Sequence, residues 1–506
     1  MLFSVLLITV ALAILVLAER RFHQKRPNAP FPPGPKGFPF IGNLFDMPSE
    51  KEWLTFAKWG EKYGDIVSVS TPGKRLVILN SASMAMDVLD KKGSIYSDRP
   101  IVEMGGELVG WKNILGLIPY GARFRSYRRQ IHQLFGKKAA MEQFLPVEEQ
   151  ETHRLLKRIY AKPEDLPKHI RKMAGAIILR ISYGYGIEED DDPFIALVME
   201  AMNQFSLSTT PGGFLVNLVP ILRYLPDWFP GAGFKRTAKE WRSTLVDMVE
   251  KPYSYAKQQM AAGSAPFSFT SSYLEGGMSE EEEYDIKWLA ASIHTAGTGT
   301  TVPSIYAFFK AMIMFPEVQA KAQAEIDTIV GNDRLPRFAD RDRLPYVDAL
   351  TREVTRWHTV GPTAVPHCAS EDDVHSGYFI PRGSFVLGNV WKILHDPAVY
   401  DQPFEFKPER FLRTEGKEPA FNPSNVAFGF GRRTCPGREL AEASIFISCA
   451  MVLAVFDISK YSENGVIFEP DMEQTTGTVS HPSPFKCTIK PRSEKALGLI
   501  NQEWDL

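Results

Sequence analysis

The first eighteen residues, MLFSVLLITVALAILVLA, carry no charged side chain, and only Ser4 and Thr9 among them are polar. A helix rising ~1.5 Å per residue over that run reaches about 27 Å, close to a bilayer core. Basic residues follow it (Arg20, Arg21, Lys25, Arg26) and none precedes it, so residues 1–18 are expected to be a transmembrane anchor with the bulk of the chain on the cytosolic side. A cleaved secretory signal would want positive charge before the apolar stretch and a shorter core. Residues 27–37, PNAPFPPGPKG, are too rich in proline for helix or strand, and with the basic flank they make 19–37 a stiff hinge. From residue 50 onward apolar positions recur mainly at helical spacing. Ser279 to Glu282 reads as a capping box opening a helix that runs to about Met314 and is stopped by Pro316. Pro316 and Pro345 sit at first-turn positions of two further helices, with Gly331 placed to end the first. Alternating runs at 66–79 and 376–390 predict short strands joined by turns. The expected architecture is α+β, predominantly helical, with a small β-rich lobe and one large domain over 38–506.

Composition narrows the function only by exclusion. The 506 residues hold 58 Lys+Arg against 60 Asp+Glu, a formal net charge of -2, so no basic excess points to a nucleic acid. Four cysteines, Cys368, Cys435, Cys449 and Cys487, are too few and scattered for a disulfide scaffold. No acceptor site for N-glycosylation occurs, since Asn422-Pro423-Ser424 is blocked by its proline.

One stretch carries chemistry: Phe428-Gly429-Phe430-Gly431-Arg432-Arg433-Thr434-Cys435-Pro436-Gly437, followed by a helical run from Arg438 to about Phe456. The glycines let the backbone bend close to a flat cofactor. Cys435 precedes a helix N-terminus whose dipole favours thiolate, and Arg433 can offer paired donors to a carboxylate. The pattern FxxGxRxCxG is matched at every fixed position, which arises by chance in about one sequence in ten thousand at average residue frequencies.

This loop resembles the haem-ligand loop of the cytochrome P-450 family, and the resemblance continues along nearly the whole chain. It implies the family's fold, with Cys435 as the iron ligand and Phe428, Arg433 and Gly437 in the haem-binding loop. Glu353-Val354-Thr355-Arg356 resembles the ExxR helix, and Pro408-Glu409-Arg410-Phe411 the loop giving the third member of a structural Glu353-Arg356-Arg410 network. Residues 120–129 look like the WxxxR helix, with Phe124 replacing the tryptophan and Arg128 implied as a propionate partner. Pro366-His367-Cys368 resembles the PHR segment, which implies a donor role for His367, with Cys368 in place of the usual Arg. His294 to Thr301 resembles the oxygen-binding segment: Ala296 and Gly297 are expected to leave room for dioxygen, and Thr300 with Thr301 to supply the alcohols. The family's acid is here Gly299, so the proton route is expected to use Thr300 with Thr298, water or a substrate hydroxyl.

The implied cofactor is haem b (iron protoporphyrin IX). With no Rossmann or flavin motif in the chain, NADPH electrons are expected through a partner flavoprotein, an NADPH-cytochrome P-450 reductase, docking on Arg125, Arg129, Lys137 and Lys138, with cytochrome b5 as a second donor. Segments such as Leu225-Pro226-Asp227-Trp228-Phe229-Pro230-Gly231 resemble membrane-bound enzymes of mushroom-forming fungi that oxidise terpenoids, polyketides and tryptamine. The expected function is insertion of one oxygen atom from dioxygen into a lipophilic small molecule, a fungal secondary metabolite such as a terpenoid, at the endoplasmic reticulum membrane with the catalytic domain facing the cytosol. Apolar residues such as Ile101, Met104, Leu108, Val109, Ile114, Leu117, Val360, Val365 and Val479 favour such a substrate. Glu103 and Glu107 keep an aromatic or indole-type amine open as the alternative, and Gly299 keeps open rearrangement or dehydration. A haem carrier without turnover is the remaining reading.

Overall fold

The computed structural model describes residues 29–39, 41–71, 74–136, 141–209, 213–416 and 418–504. The anchor expected at 1–18, its basic flank and the docking candidates Lys137 and Lys138 lie outside them. Ten longer helices run in chain order: α1 Glu52–Tyr63, α2 Ala122–Phe135, α3 Leu145–Ala161, α4 Leu166–Tyr183, α5 Pro193–Thr209, α6 Gly233–Ala261, α7 Glu280–Met314, α8 Pro316–Ile329, α9 Pro345–Trp357 and α10 Arg438–Val455. None of the described helices is long and apolar enough to cross a membrane.

The helix signals act where they were read. Ser279 Oγ accepts from Glu282 N at 3.3 Å and the Glu282 carboxylate accepts from Ser279 N at 3.0 Å, so two orphan amides are satisfied at the start of α7. Gly331, at φ +83°, donates its N–H to Ile326 O at 3.2 Å just beyond the end of α8. Apolar residues surround α7 on nearly all sides, which makes it an interior helix rather than an amphipathic surface one. It packs closely on α4, where a Cβ at Gly297 would come within 2.5 Å of the Ile178 side chain.

Three small sheets complete the chain. Strands β1 Ile66–Thr71 and β2 Lys74–Leu79 pair antiparallel, β2 runs parallel to β6 Phe385–Gly388, and β3 His367–Cys368 closes that sheet in the order β1-β2-β6-β3. Strands β4 Asp373–His375 and β5 Tyr378–Ile380 form a hairpin. β7 Phe456–Glu463 lies between β8 Val466–Phe468 and β9 Cys487–Pro491. Two π-helical turns, Met86–Lys91 and Glu103–Val109, have no counterpart in the apolar spacing.

The ExxR pair lies at the centre of a buried network. Arg356 donates Nε and Nη2 to the two oxygens of Glu353, both at 2.7 Å, and neither side chain is exposed at all. Arg410 Nε reaches Glu353 Oε1 at 3.1 Å, and the two guanidiniums also hold the carbonyls of Leu394, Asp401, Pro403 and Glu405. Removing one partner from such a group strands a buried charge, so the network fixes the path of the chain between α9 and the loop of Cys435.

Candidate functional site

Residues 428–437 form a tight loop ahead of α10. Cys435 N donates to Phe428 O at 2.8 Å and Thr434 Oγ1 to Gly431 O at 2.8 Å. Gly431 has φ +52°, and a Cβ there would lie 2.3 Å from the Leu89 carbonyl oxygen, so only glycine fits. Gly437 occupies the cap position of α10, where a Cβ would approach the Cys435 sulfur to 3.9 Å. The thiol is accessible, yet protein surrounds it closely enough that desolvation is the largest influence on it and raises its pKa. The Gly437 amide, Arg128 and Arg438 act in the opposite direction. A coordinating metal would deprotonate this thiol outright.

Above this loop positive charge outnumbers the nearby acid, Asp98. Arg128, from α2, donates to Thr434 O at 2.5 Å and lies within the field of Cys435. Arg433 is buried and places three of its N–H groups on the carbonyls of Ser97 (2.7 Å), Leu115 (3.4 Å) and Ile118 (2.8 Å). The paired carboxylate donation expected of it is thus replaced, in part, by main-chain bonds. Its guanidinium lies 3.8 Å from the centre of the Phe124 ring, so the residue standing in for tryptophan serves as a platform for a cation.

Arg99, which motif spacing did not single out, is buried beside Arg433 and bonds Gly116 O, Val365 O and Pro366 O. Burial and then Arg433 push its pKa down to about 9, with Asp98 acting against them. His367 donates Nδ1–H to Tyr96 O at 2.6 Å, and burial pushes its pKa down to about 3. The Tyr96 carbonyl can only accept, so Nδ1 carries the proton of this bond. Two buried guanidiniums facing one nearby acid are costly unless an anion joins them. The carboxylates of a haem meet that demand, and with an accessible cysteine they make the donor set fit the cofactor.

The opposite wall is α7. Its residues 288–295 and 301–313 are buried, but between them Ala296 and Thr300 are exposed and Gly299 is half-buried. Thr300 Oγ1 donates to Ala296 O at 2.7 Å. Gly297 is turned toward Ile178 of α4, so its lack of a side chain serves helix packing there. Thr301 is buried, and Thr298 is buried with its hydroxyl on His294 O at 2.8 Å. Both are thus less exposed than Thr300. The walls are joined by one residue: Leu115 N donates to Ser292 Oγ of α7 at 3.0 Å while Leu115 O accepts from Arg433.

Over the site, Glu103 is buried and accepts from Arg223 Nη1 at 2.9 Å, and Met104 N donates to Asn217 Oδ1 at 2.8 Å. Glu107 pairs with Lys112 at 2.9 Å. A cavity of about 390 Å³ opens beside Arg99, lined in part by Ile101, Val102, Leu117 and Ile118.

A family model described as cytochrome P-450 matches residues 32–489. The chain belongs to the cytochrome P-450 family and is an oxidoreductase of the monooxygenase kind. It is 51% identical over 491 residues to cytochrome P-450 monooxygenase 208 of Postia placenta, covering 97% of this chain and 96% of that one. It is 47% identical over 493 residues to cytochrome P-450 monooxygenase claR of Ampulloclitocybe clavipes, covering 97% and 92%. Identity to cytochrome P-450 monooxygenase ppsD of Aspergillus oryzae is 42% over 477 residues, covering 93% and 90%. Membership implies a haem cofactor, a redox partner and a small-molecule substrate.

Proposed function

We infer that this monooxygenase inserts one atom of dioxygen into a lipophilic small molecule, a terpenoid-like secondary metabolite before an arylalkylamine. The observation that carries the preference is the state of the two acids near the site: Glu103 is held by Arg223 and Glu107 by Lys112, so neither is free to anchor an ammonium group. What remains is apolar lining that includes Ile101, Val102, Leu117 and Ile118.

Cys435 would hold the iron of the haem, and Arg99, Arg128 and Arg433 its carboxylates. Bound there, a haem thiolate supplies the redox chemistry that activates dioxygen. Ala296 keeps the adjoining surface of α7 low, and Thr300 is the hydroxyl placed to pass a proton. Arg125 and Arg129 are exposed on α2, the helix whose Arg128 reaches the Cys435 loop, and offer a basic surface to an acidic flavoprotein reductase delivering electrons from NADPH. The charge-free run 1–18 supports a single-pass anchor in the endoplasmic reticulum, and exposed Phe45, Ile221, Tyr224 and Trp228 agree with contact to lipid.

Gly299 favours a second reading, rearrangement or dehydration, in which a proton relay is dispensable. Turnover with reductase, NADPH and heavy-isotope dioxygen over a fractionated fungal metabolite extract decides between the two. A product carrying one labelled oxygen supports insertion, and a changed product without label supports the second reading.

A further inference from the structure

Helix α7 carries Pro303 in its interior. Proline has no N–H, so the carbonyl four residues earlier, that of Gly299, lacks its helical donor. Gly299 has open space beside it: a Cβ built there meets nothing within 4 Å. The next residue is Thr300, whose hydroxyl lies on the exposed part of the helix and is bonded only to Ala296 O, at 2.7 Å. An acceptor without a donor, room beside its residue and a neighbouring hydroxyl thus occur together on the less buried stretch of α7 that lies between its two buried runs. A main-chain carbonyl in that position takes water, and a water here has two polar partners.

We propose that Pro303 and Gly299 together build a water site on α7, in which the freed Gly299 carbonyl, in place of a side-chain acid, holds the water that feeds protons to Thr300. The water donates one hydrogen to Gly299 O and the other to Thr300 Oγ1. When Thr300 gives its proton toward the reacting side of the cavity, it recovers one from this water, and the water recovers one from solvent. One proton crosses in total, no electron moves, and Thr300 and the water end as they began. Pro303 and Gly299 are positioning residues in this scheme; Thr300 is the group that transfers. The scheme rests on the monooxygenase assignment and on Thr300 as its proton donor.

Substituting Pro303→Ala restores an N–H at 303 and closes the carbonyl back into the helix, and alanine is a better helix former than proline, so folding is not endangered. The first readout is independent of turnover: a high-resolution crystal structure of the haem-loaded enzyme is expected to show an ordered water within hydrogen-bond distance of Gly299 O and Thr300 Oγ1, absent in Pro303→Ala. The second is coupling: Pro303→Ala is expected to lower the fraction of NADPH electrons reaching product by about tenfold, a modest part of what a placed proton donor contributes. The lost electrons should appear as hydrogen peroxide, and the solvent deuterium isotope effect on kcat should rise. The carbon monoxide spectrum and substrate Kd should stay unchanged, and Pro303→Ala with Gly299→Asp should recover coupling. A wild-type Gly299 carbonyl bonded to protein, a dry notch, or unchanged coupling and isotope effect in Pro303→Ala overturns the proposal. Since the water is read from the crystal structure, absence of oxygenated product would count against the reaction assigned above and not against the site.

Discussion

Ile178 stands where a side chain on Gly297 would have to go: an added Cβ would meet its Cγ1 at 2.5 Å and its Cδ1 at 2.6 Å. The Ile178 side chain of α4 lies directly against the backbone of α7 there. Gly297→Ala overpacks that contact and is expected to destabilise the fold by about 1–3 kcal/mol. Thermal unfolding of Gly297→Ala, Ile178→Ala and the double variant checks this. The double variant should be more stable than the sum of the singles implies, because the clash and the cavity relieve one another.

Arg99 and Arg433 bring two buried guanidiniums to a place where Asp98 is the acid acting on both. Replacing Arg99 with Leu is expected to lower haem retention, since one anion partner is lost. The ratio of haem to protein absorbance after purification, and the rate of haem transfer to an apo-acceptor, measure it. Retention equal to wild type would mean that Arg99 serves only the carbonyls of Gly116, Val365 and Pro366.

Glu148, on α3, is fully buried and receives the Ser444 hydroxyl at 2.9 Å, and burial raises its pKa to about 8 against the pull of Ser444 and Arg341. Its folded-state value lies above the ordinary 4.5, so the folded protein binds a proton that the unfolded chain releases. That contribution is complete below about pH 4.5 and is lost as pH rises through about 8. Glu148→Gln keeps an acceptor for Ser444 and removes the titration. It should therefore gain stability over wild type progressively between those two values, with little difference at the acid end. Urea unfolding at pH 5 and pH 8 decides it.

Glu353 is the shared anion of Arg356 and Arg410. Glu353→Gln leaves two buried guanidiniums without a charge partner and is expected to destabilise by roughly 3–5 kcal/mol, seen as a lowered unfolding temperature and reduced yield of folded holoenzyme. Arg356→Lys should fail as well, because a single ammonium cannot span both carboxylate oxygens and the carbonyls of Leu394 and Pro403.

What sequence reading captured here is local or strongly patterned. The Ser279–Glu282 box, Pro316, Pro345 and Gly331 act within one helical turn of themselves, so their meaning does not depend on the rest of the chain. The Cys435 loop and the Glu353–Arg356 pair were legible because their spacing is fixed. What escaped depends on partners distant in sequence. That Gly297 is packed against Ile178 follows only from the packing of α4 on α7. Likewise only the fold shows that Thr298 is buried while Thr300, two residues on, is exposed. Arg99 carries no motif of its own, and its importance appears only when Arg433 is found beside it. Glu103 reads as a solvated loop acid until the segment bearing Arg223 closes over it.

Leu115 links the two walls through a single residue, its N–H on Ser292 and its carbonyl on Arg433. A guest large enough to displace that backbone strains a bond to the long helix and a bond to the cysteine loop in one movement. Any displacement of that backbone would thus be felt on both sides of the reaction chamber at once.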